Sequence, residues 1–305
     1  MQKIETNISV LIPVKNEIIH IERCVKSALK LTPYVFVVDS SSTDGTVKKA
    51  ESLGAKVFDY EWSPSSNFSK KMNWALENLP IETKWVIRLD ADEYFLDNTI
   101  LRLPNELEKL DPKINAATLN RRVHFLGRWI KHGMQYPRPM VRVTRLGFAK
   151  YESRWLDEVV NVDENTIVNL SLDFVDDSLI SISKWVKKHD NYSAQEAIEM
   201  LHQEIGLFQR ITKNDFIGKD AQKAKKEKSI YVKMPLYWRA FLYFLYRYFI
   251  KFGFLDGYQG FLWNFFQGWW YRTLVDVKIS QIKKACGEDK EKIKNYIEKE
   301  FSIRI

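Results

Sequence analysis

The chain has 305 residues, 45% of them hydrophobic and 14% aromatic, and 47 Lys and Arg against 39 Asp and Glu leave a net charge of +8. That much apolar material supports a sizeable core and excludes a disordered chain. Its two cysteines, Cys24 and Cys286, stand far apart and exclude a disulfide framework or a cysteine metal cluster, while the basic, aromatic-rich balance points to anionic partners and an apolar or interfacial surface. The first residues show no basic stretch followed by a long apolar core, so retention in a reducing compartment is expected.

Over the first 95 residues, β-rich runs at 8–14, 34–39, 55–60 and 85–89 alternate with amphipathic stretches at 17–31, 44–53 and 66–79. The runs are rich in Val, Ile and Phe and end on Pro, Asp, Ser or Gly. The stretches between them carry apolar residues at helical spacing, as Ile18, Ile21, Val25, Ala28 and Leu29 do. This alternation predicts an α/β fold with a parallel sheet covered on both faces. Ligands of such sheets bind beyond the carboxyl ends of the strands, at the switch in strand order. The polar residues there are Lys15-Asn16-Glu17, Asp39-Ser40-Ser41-Ser42 and Asp90-Ala91-Asp92-Glu93.

Residues 115–168 read as mixed strand and loop, with strands at 116–125 and 140–143, and 181–209 reads as a long helix. A basic stretch follows at 219–233, and behind it comes an aromatic run over about 234–275. Arg239, Arg247, Lys251 and Asp256 interrupt that run, so it is not a spanning helix. It predicts helices lying in the headgroup region, with rings inserted and Lys and Arg facing anionic lipid; the competing reading is a helical hairpin that covers the catalytic domain. The expected division is 1–180 as catalytic domain, with 1–95 and 96–180 as its two halves, and 181–305 as a helical C-terminal region.

Asp90 and Asp92 follow an apolar strand with Ala91 between them, and in extended backbone both carboxylates would face one hard divalent cation. Such a cation bridges a diphosphate and neutralises the leaving group. Asp39 is a natural acceptor for a base imino N–H, with Pro13 bounding the ring, and equally a cap for the next helix.

The segments LIPVKNE, VVDSSSTDGT, FSKKMNWAL and WVIRLDADE occur in this order, and the chain resembles glycosyltransferase family 2, the inverting nucleotide-sugar enzymes of GT-A fold. FLGRWIKHGMQYP, MVRVTR, KHDNYSAQEA and GFLDGYQGF resemble the subgroup that builds bacterial lipopolysaccharide core, capsule and exopolysaccharide. The resemblance covers about residues 7–275. It implies that Pro13, Glu17 and Asp39 line a uridine pocket with Ser41 nearby, and that Asp90 and Asp92 hold Mg²⁺ or Mn²⁺ and the diphosphate. Lys71 and Asn73 would face the nucleotide sugar, unless they are ordinary helix surface. Related enzymes carry His-Glu at the general base, where this chain has Asp157-Glu158, so the base is Glu158 or its neighbour Asp157.

An inverting, non-processive, metal-dependent transfer of a hexose, glucose from UDP-glucose above others, to a membrane-associated glycan or glycolipid is the expected function. Arg128, His132 and Arg142 are candidates to meet the acceptor, or are surface charge. The expected location is the cytoplasmic face of the inner membrane, bound peripherally to its anionic surface. A catalytically inactive, membrane-attached glycan-binding scaffold is the second reading. Nucleic-acid binding rests on charge alone, without a recognisable module, and is not expected.

Overall fold

The computed structural model describes residues 6–63, 66–152, 160–208, 231 and 234–303. Among them, one compact unit takes in 6–131, 135–152 and 160–179, and a second takes in 132–134 and those from 180 onward. The first unit opens with β1 (Ile8–Val14), α1 (Ile21–Leu31), β2 (Val35–Asp39), α2 (Thr46–Ser52), β3 (Lys56–Asp59), α3 (Phe68–Asn78) and β4 (Trp85–Arg88). β1 pairs in parallel with both β2 and β4, and β2 with β3, giving the order β3-β2-β1-β4.

These strands and helices stand where the hydrophobic rhythm predicts them, with one difference. The helix expected from residue 17 starts at Ile21. Its missing first turn belongs to a loop, because Ser42 Oγ, Thr46 Oγ1 and Asp44 Oδ2 take the backbone N–H groups of Asn16, Glu17 and Ile18.

β5 (Glu93–Phe95), α4 (Asp97–Glu108), β6 (Ala116–Phe125), β7 (Arg128–Ile130), β8 (Pro139–Arg145) and β11 (Ile167–Asp177) extend the sheet as β4-β8-β6-β11-β5, with β7 paired to β6. β8 is antiparallel to β4 and β6, β11 is parallel to β6, and β5 is antiparallel to β11. The parallel sheet of the sequence reading is therefore its first four strands, and the second half is mixed. β9 (Lys150–Tyr151) and β10 (Val160–Asn161) form a separate short ladder.

Strand alternation feeds two cores. Val10, Ile12, Val14, Val35, Val37, Ile87 and Leu89 pack with Ile21, Val25, Ala28 and Leu31 of α1 and with Leu103 and Leu107 of α4. Leu11, Phe36, Val38 and Val86 point to the opposite face and meet Met72 and Ala75 of α3.

The second unit contains α5 (Ile182–Ile205) and α6 (Trp238–Leu245), which runs on as a π-helical turn over Tyr246–Ile250. A 3₁₀ turn, Gly253–Asp256, leads into α7 (Gly257–Asn264), which continues through the π-helical Phe265–Trp270 into α8 (Tyr271–Cys286), and α9 (Lys290–Phe301) follows. Its core joins Ala197, Ile198 and Leu201 of α5 to Val275, Ile279 and Ile282 of α8 and to Ile293 and Ile297 of α9. No helix among the described residues is long and apolar enough to cross a membrane. Apart from Tyr231, the basic stretch at 219–233 lies outside the described residues.

Of the charges inside the aromatic run only Lys251 is exposed, whereas the sequence reading expects its Lys and Arg to face outward. Arg239, Arg247 and Asp256 are all buried. Arg239 is paired with Asp276 (Nε to Oδ1, 2.8 Å), Arg247 Nε donates to Gly133 O at 2.9 Å, and Asp256 accepts from His132. A buried charge needs a partner in the protein, and here each has found one.

Candidate active site

The carboxyl ends of β1 and β2 lie level, since Val14 pairs with Asp39, while β4 ends three residues short of β1, Arg88 standing beside Leu11, so the chain at Asp90 follows just beyond its end. The chain leaves β1 for β2 on one side and reaches β4 on the other. The crevice between β1 and β4 is therefore the switch point of the sheet, where α/β folds bind ligands.

Two loops close one side of it. Asn16 and Ser41 both adopt left-handed backbone, at φ 57° and 59°. Asn16 N–H donates to Ser42 Oγ (2.7 Å), and Asn16 Oδ1 accepts from Thr43 N–H (2.8 Å), so the loops after β1 and β2 are laced into one rim. Asp39 is 2% exposed and accepts from Ser42 N–H (2.8 Å) and Ser42 Oγ (2.5 Å). Each of its oxygens takes one of these bonds and keeps acceptor capacity for a ligand, so capping and base recognition remain compatible. Pro13 is buried in β1, and Ser41 stands exposed on the rim.

Glu17 accepts from His20 Nδ1 at 2.6 Å. His20 is buried, and its Nε2 accepts from Leu179 N–H, so the proton sits on Nδ1 and the ring holds the Glu17 carboxylate in place. His20 is a residue the sequence reading missed, although its i,i+3 spacing from Glu17 was visible.

Lys71 corrects the surface alternative. It is 4% exposed on α3, and its Nζ donates to Val14 O, at the end of β1, at 2.9 Å. Burial lowers the ammonium to about 8; Lys15 adds to the lowering, and Asp39 and Asp90 oppose it. Asn73, two residues along, does something else than face a sugar. Its side chain donates to Tyr151 O (2.9 Å) and accepts from Tyr151 N–H (2.8 Å), a clamp that ties α3 to β9.

Asp90, Ala91 and Asp92 do not run on as a strand. Glu93 N–H donates to Asp90 O (2.9 Å), and Asp90 N–H donates to Glu93 Oε2 (2.9 Å), which bends the segment into a turn. Arg88 grips the Asp90 carboxylate with two bonds, Nε to Oδ1 at 2.9 Å and Nη2 to Oδ2 at 2.8 Å, and Arg142 approaches at 3.4 Å. Burial works against the Asp90 charge, but the two guanidiniums outweigh it and hold the carboxyl well below its ordinary range. Glu93 is buried and pairs with Arg142; burial pushes its carboxyl up against that pull. Beneath the turn, Cys24 Sγ donates to Asp90 O (3.4 Å), and burial raises the thiol well above its ordinary value. The sequence reading names Glu93 only as one of the strand-end polar residues and passes over Arg88, two residues before Asp90.

Of the three cations expected at the acceptor, Arg142 is 5% exposed and occupied with Glu93 and Asp90, which removes it from open surface. Arg128 is exposed on β7. His132 groups with the second unit, where its backbone N–H and Nδ1 bind Asp256 at 2.7 and 2.9 Å. Within the second unit the structure assigns His132 a structural bond. Glu158 and Asp157 lie outside the described residues.

One buried lysine with carboxylates near it at the strand ends of the switch point suits a phosphorylated ligand. The sequence profile of Glycosyl transferase family 2 matches residues 9–165, which takes in this crevice. The chain belongs to glycosyl transferase family 2. It is thus a glycosyltransferase, an enzyme of the transferase class. It is 29% identical over 270 residues to an uncharacterized glycosyltransferase of Rickettsia bellii, an alignment that covers 82% of this chain and 80% of that protein. With an uncharacterized glycosyltransferase of Rickettsia conorii it shares 30% identity over 215 residues, 64% of this chain and 71% of that one.

Among solved structures, glucosyl-3-phosphoglycerate synthase from Mycobacterium tuberculosis, in complex with Mn²⁺, UDP-glucose and phosphoglyceric acid, is similar at 23% identity and a TM-score of 0.32. That match covers 39% of this chain and 45% of the synthase. A complex of the same enzyme with Mn²⁺, UDP and glucosyl-3-phosphoglycerate aligns at 15% identity over 63% of this chain and 79% of that one, with a TM-score of 0.39.

Whether this family-2 transferase can hold a divalent cation is a question of donors. Among the described residues no three His, Cys, Asp or Glu side chains converge into a protein cage. Two carboxylates on one turn fit instead a small hard cation that completes its shell from a diphosphate and water. Asp90 already has Arg88 across both oxygens, which weakens it as a direct metal ligand.

Proposed function

We propose that this enzyme is an inverting, metal-dependent hexosyltransferase that moves glucose from UDP-glucose, one sugar per encounter, to a membrane-associated glycan or glycolipid of a bacterial surface polysaccharide. The observation that carries the reading is the buried Lys71 cation at the end of β1, between Asp39 and the turn of Asp90 and Asp92. A buried lysine at a strand end attracts a diphosphate while it carries its proton. Asp39 and Pro13 would take the uracil ring, and Glu17, held by His20, the ribose side.

Asp92, with Asp90 beside it, would hold Mg²⁺ or Mn²⁺. Bound there, the cation would neutralise charge on the departing diphosphate. The acceptor hydroxyl attacks the anomeric carbon and gives its proton to a carboxylate; the bond to UDP breaks as the new bond forms, and configuration inverts. We assign the carboxylate to Glu158, with Asp157 as the alternative. The expected place of action is the cytoplasmic face of the inner membrane, reached through the aromatic helices. Arg128 remains a candidate for meeting an anionic acceptor there.

A screen of UDP-sugars with Mg²⁺ or Mn²⁺ and a membrane extract as acceptor tests donor and class together. UDP release is expected with UDP-glucose. If no UDP-sugar yields UDP under any of these conditions, the reading fails.

A further inference from the structure

Polarity is inverted in the helices around the turn between α6 and α7. Over residues 234–275 the only carboxylate is Asp256, and it is 2% exposed; Arg239 and Arg247 are 2% and 3% exposed. The large apolar side chains point the other way. Phe249, Ile250, Phe252, Phe254, Leu255 and Tyr258 are all exposed, from 43% to 67%, and Lys251 is the single charge among them. A surface that hides its ions and shows its rings is unsuited to water.

The exposed residues are also graded. Phe, Ile and Leu predominate in the turn, which also carries Lys251 and ends on Tyr258, while Trp238, Tyr246 and Trp269 stand behind it with Leu242 and Phe261. On α6 the exposed Trp238, Leu242 and Tyr246 repeat every fourth residue and lead to Phe249. Tyr258, Phe261 and Trp269 lead away from the turn along α7 and its continuation. A turn dominated by Phe, Ile and Leu, with Trp and Tyr rings and one lysine around it, matches the passage from acyl chain to headgroup. A second protein copy would supply no such gradient. Phe252 also stands in left-handed backbone, at φ 58°, a conformation costly for a bulky residue and one kept where function needs it.

We propose that the α6–α7 turn, residues 249–258, inserts into one leaflet of a lipid bilayer as an apolar wedge, so that ring burial rather than the arginines anchors the enzyme. The proposal deepens the membrane part of the function above and rests on it, but not on the transfer chemistry. A wedge of this kind binds zwitterionic lipid and resists salt, in contrast to attachment by surface charge.

The test uses the full chain and extruded vesicles, either of phosphatidylcholine alone or with added phosphatidylglycerol, at low and high salt. The wild type is expected to sediment with both kinds of vesicle and to stay bound in high salt. The double variant Phe254→Glu/Leu255→Glu is expected to lower partitioning by about tenfold or more. Ile250→Glu repeats the test at a side chain that is 63% exposed, where loss of folding is not at issue. Circular dichroism and the thermal midpoint check that the variants remain folded.

Binding that needs anionic lipid and vanishes in high salt would overturn the proposal. So would unchanged partitioning of Ile250→Glu, or a wild-type dimer in light scattering that the variants split without any vesicle binding. UDP release is read in parallel samples that add UDP-glucose, Mg²⁺ or Mn²⁺ and the membrane extract as acceptor: wild type that partitions without releasing UDP there supports the wedge and counts against the transferase chemistry. Wild type that releases UDP but never partitions overturns the wedge alone.

Discussion

A lysine that is 4% exposed and bonded to the Val14 carbonyl has lost most of its water, and its proton affinity falls with it, to about 8. The free ammonium therefore begins to lose its proton just above neutral pH. A bound diphosphate favours the charged form and raises the value, so between about 8 and the ordinary lysine range donor binding takes up a proton. UDP affinity is expected to fall as pH rises through that window, with proton uptake seen calorimetrically in buffers of different ionisation enthalpy. Lys71→Met should weaken UDP binding by about tenfold or more and abolish the uptake; uptake that persists in this variant would place the titrating group elsewhere. Asp92→Asn is expected to remove metal-dependent UDP binding without loss of thermal stability, because the side chain sits on a turn held by Asp90 and Glu93. Glu158→Gln should abolish transfer and leave UDP binding intact; turnover at the wild-type rate would move the base to Asp157 or beyond. Strand-end logic made Asp39, Asp90 and Asp92 legible in sequence. Lys71 was legible only as a position on a helix, since which face of α3 meets β1 is a tertiary fact. Arg88 was hidden for another reason: a strand-end arginine reads as solvated until its partner's place is known.

Hydrophobic period fixes elements well where one face is apolar, which is why β1, β2, β4 and α3 appear close to the bounds expected of them. It failed at α4, whose Asn98, Arg102, Pro104 and Asn105 dilute the stripe although Leu103 and Leu107 are buried beneath β11 and α1. It failed also at β5 and β7, three residues each and too short to show a period. Sequence could not show either that FLGRWIKHGMQYP and GFLDGYQGF meet. In the second unit Gly133 N–H donates to Lys251 O, and Asp256 takes both His132 donors. Glycine permits the close packing at this knot: a Cβ on Gly260 would press against Gly253 O and lie 2.6 Å from the Asp256 Cβ. Gly260→Ala is expected to displace the start of α7 and cost about 1–3 kcal/mol, measured by urea unfolding. An unchanged midpoint would mean that the turn yields freely.

At the scale of the whole chain, the +8 charge does not describe the surface of the aromatic helices, because part of it is sealed inside. Arg239 is 2% exposed and Asp276 is fully buried. Asp276 Oδ1 accepts from Arg239 Nε (2.8 Å), and Oδ2 accepts from Tyr237 N–H (2.7 Å). Such a pair adds little net stability over an apolar pair of the same volume, since desolvating two charges offsets their attraction. Its loss on one side is different, because the remaining charge has no water to return to. Asp276→Ala is therefore expected to destabilise the helical unit by about 3–5 kcal/mol. The paired change Arg239→Met/Asp276→Leu should recover most of that loss, although Tyr237 N–H then lacks its acceptor. Urea unfolding followed at the helical circular dichroism band reads both. A double variant as unstable as Asp276→Ala would show that the ion pair itself holds α6 to α8, and that the polar interior of these helices contributes to stability beyond keeping their outer face apolar.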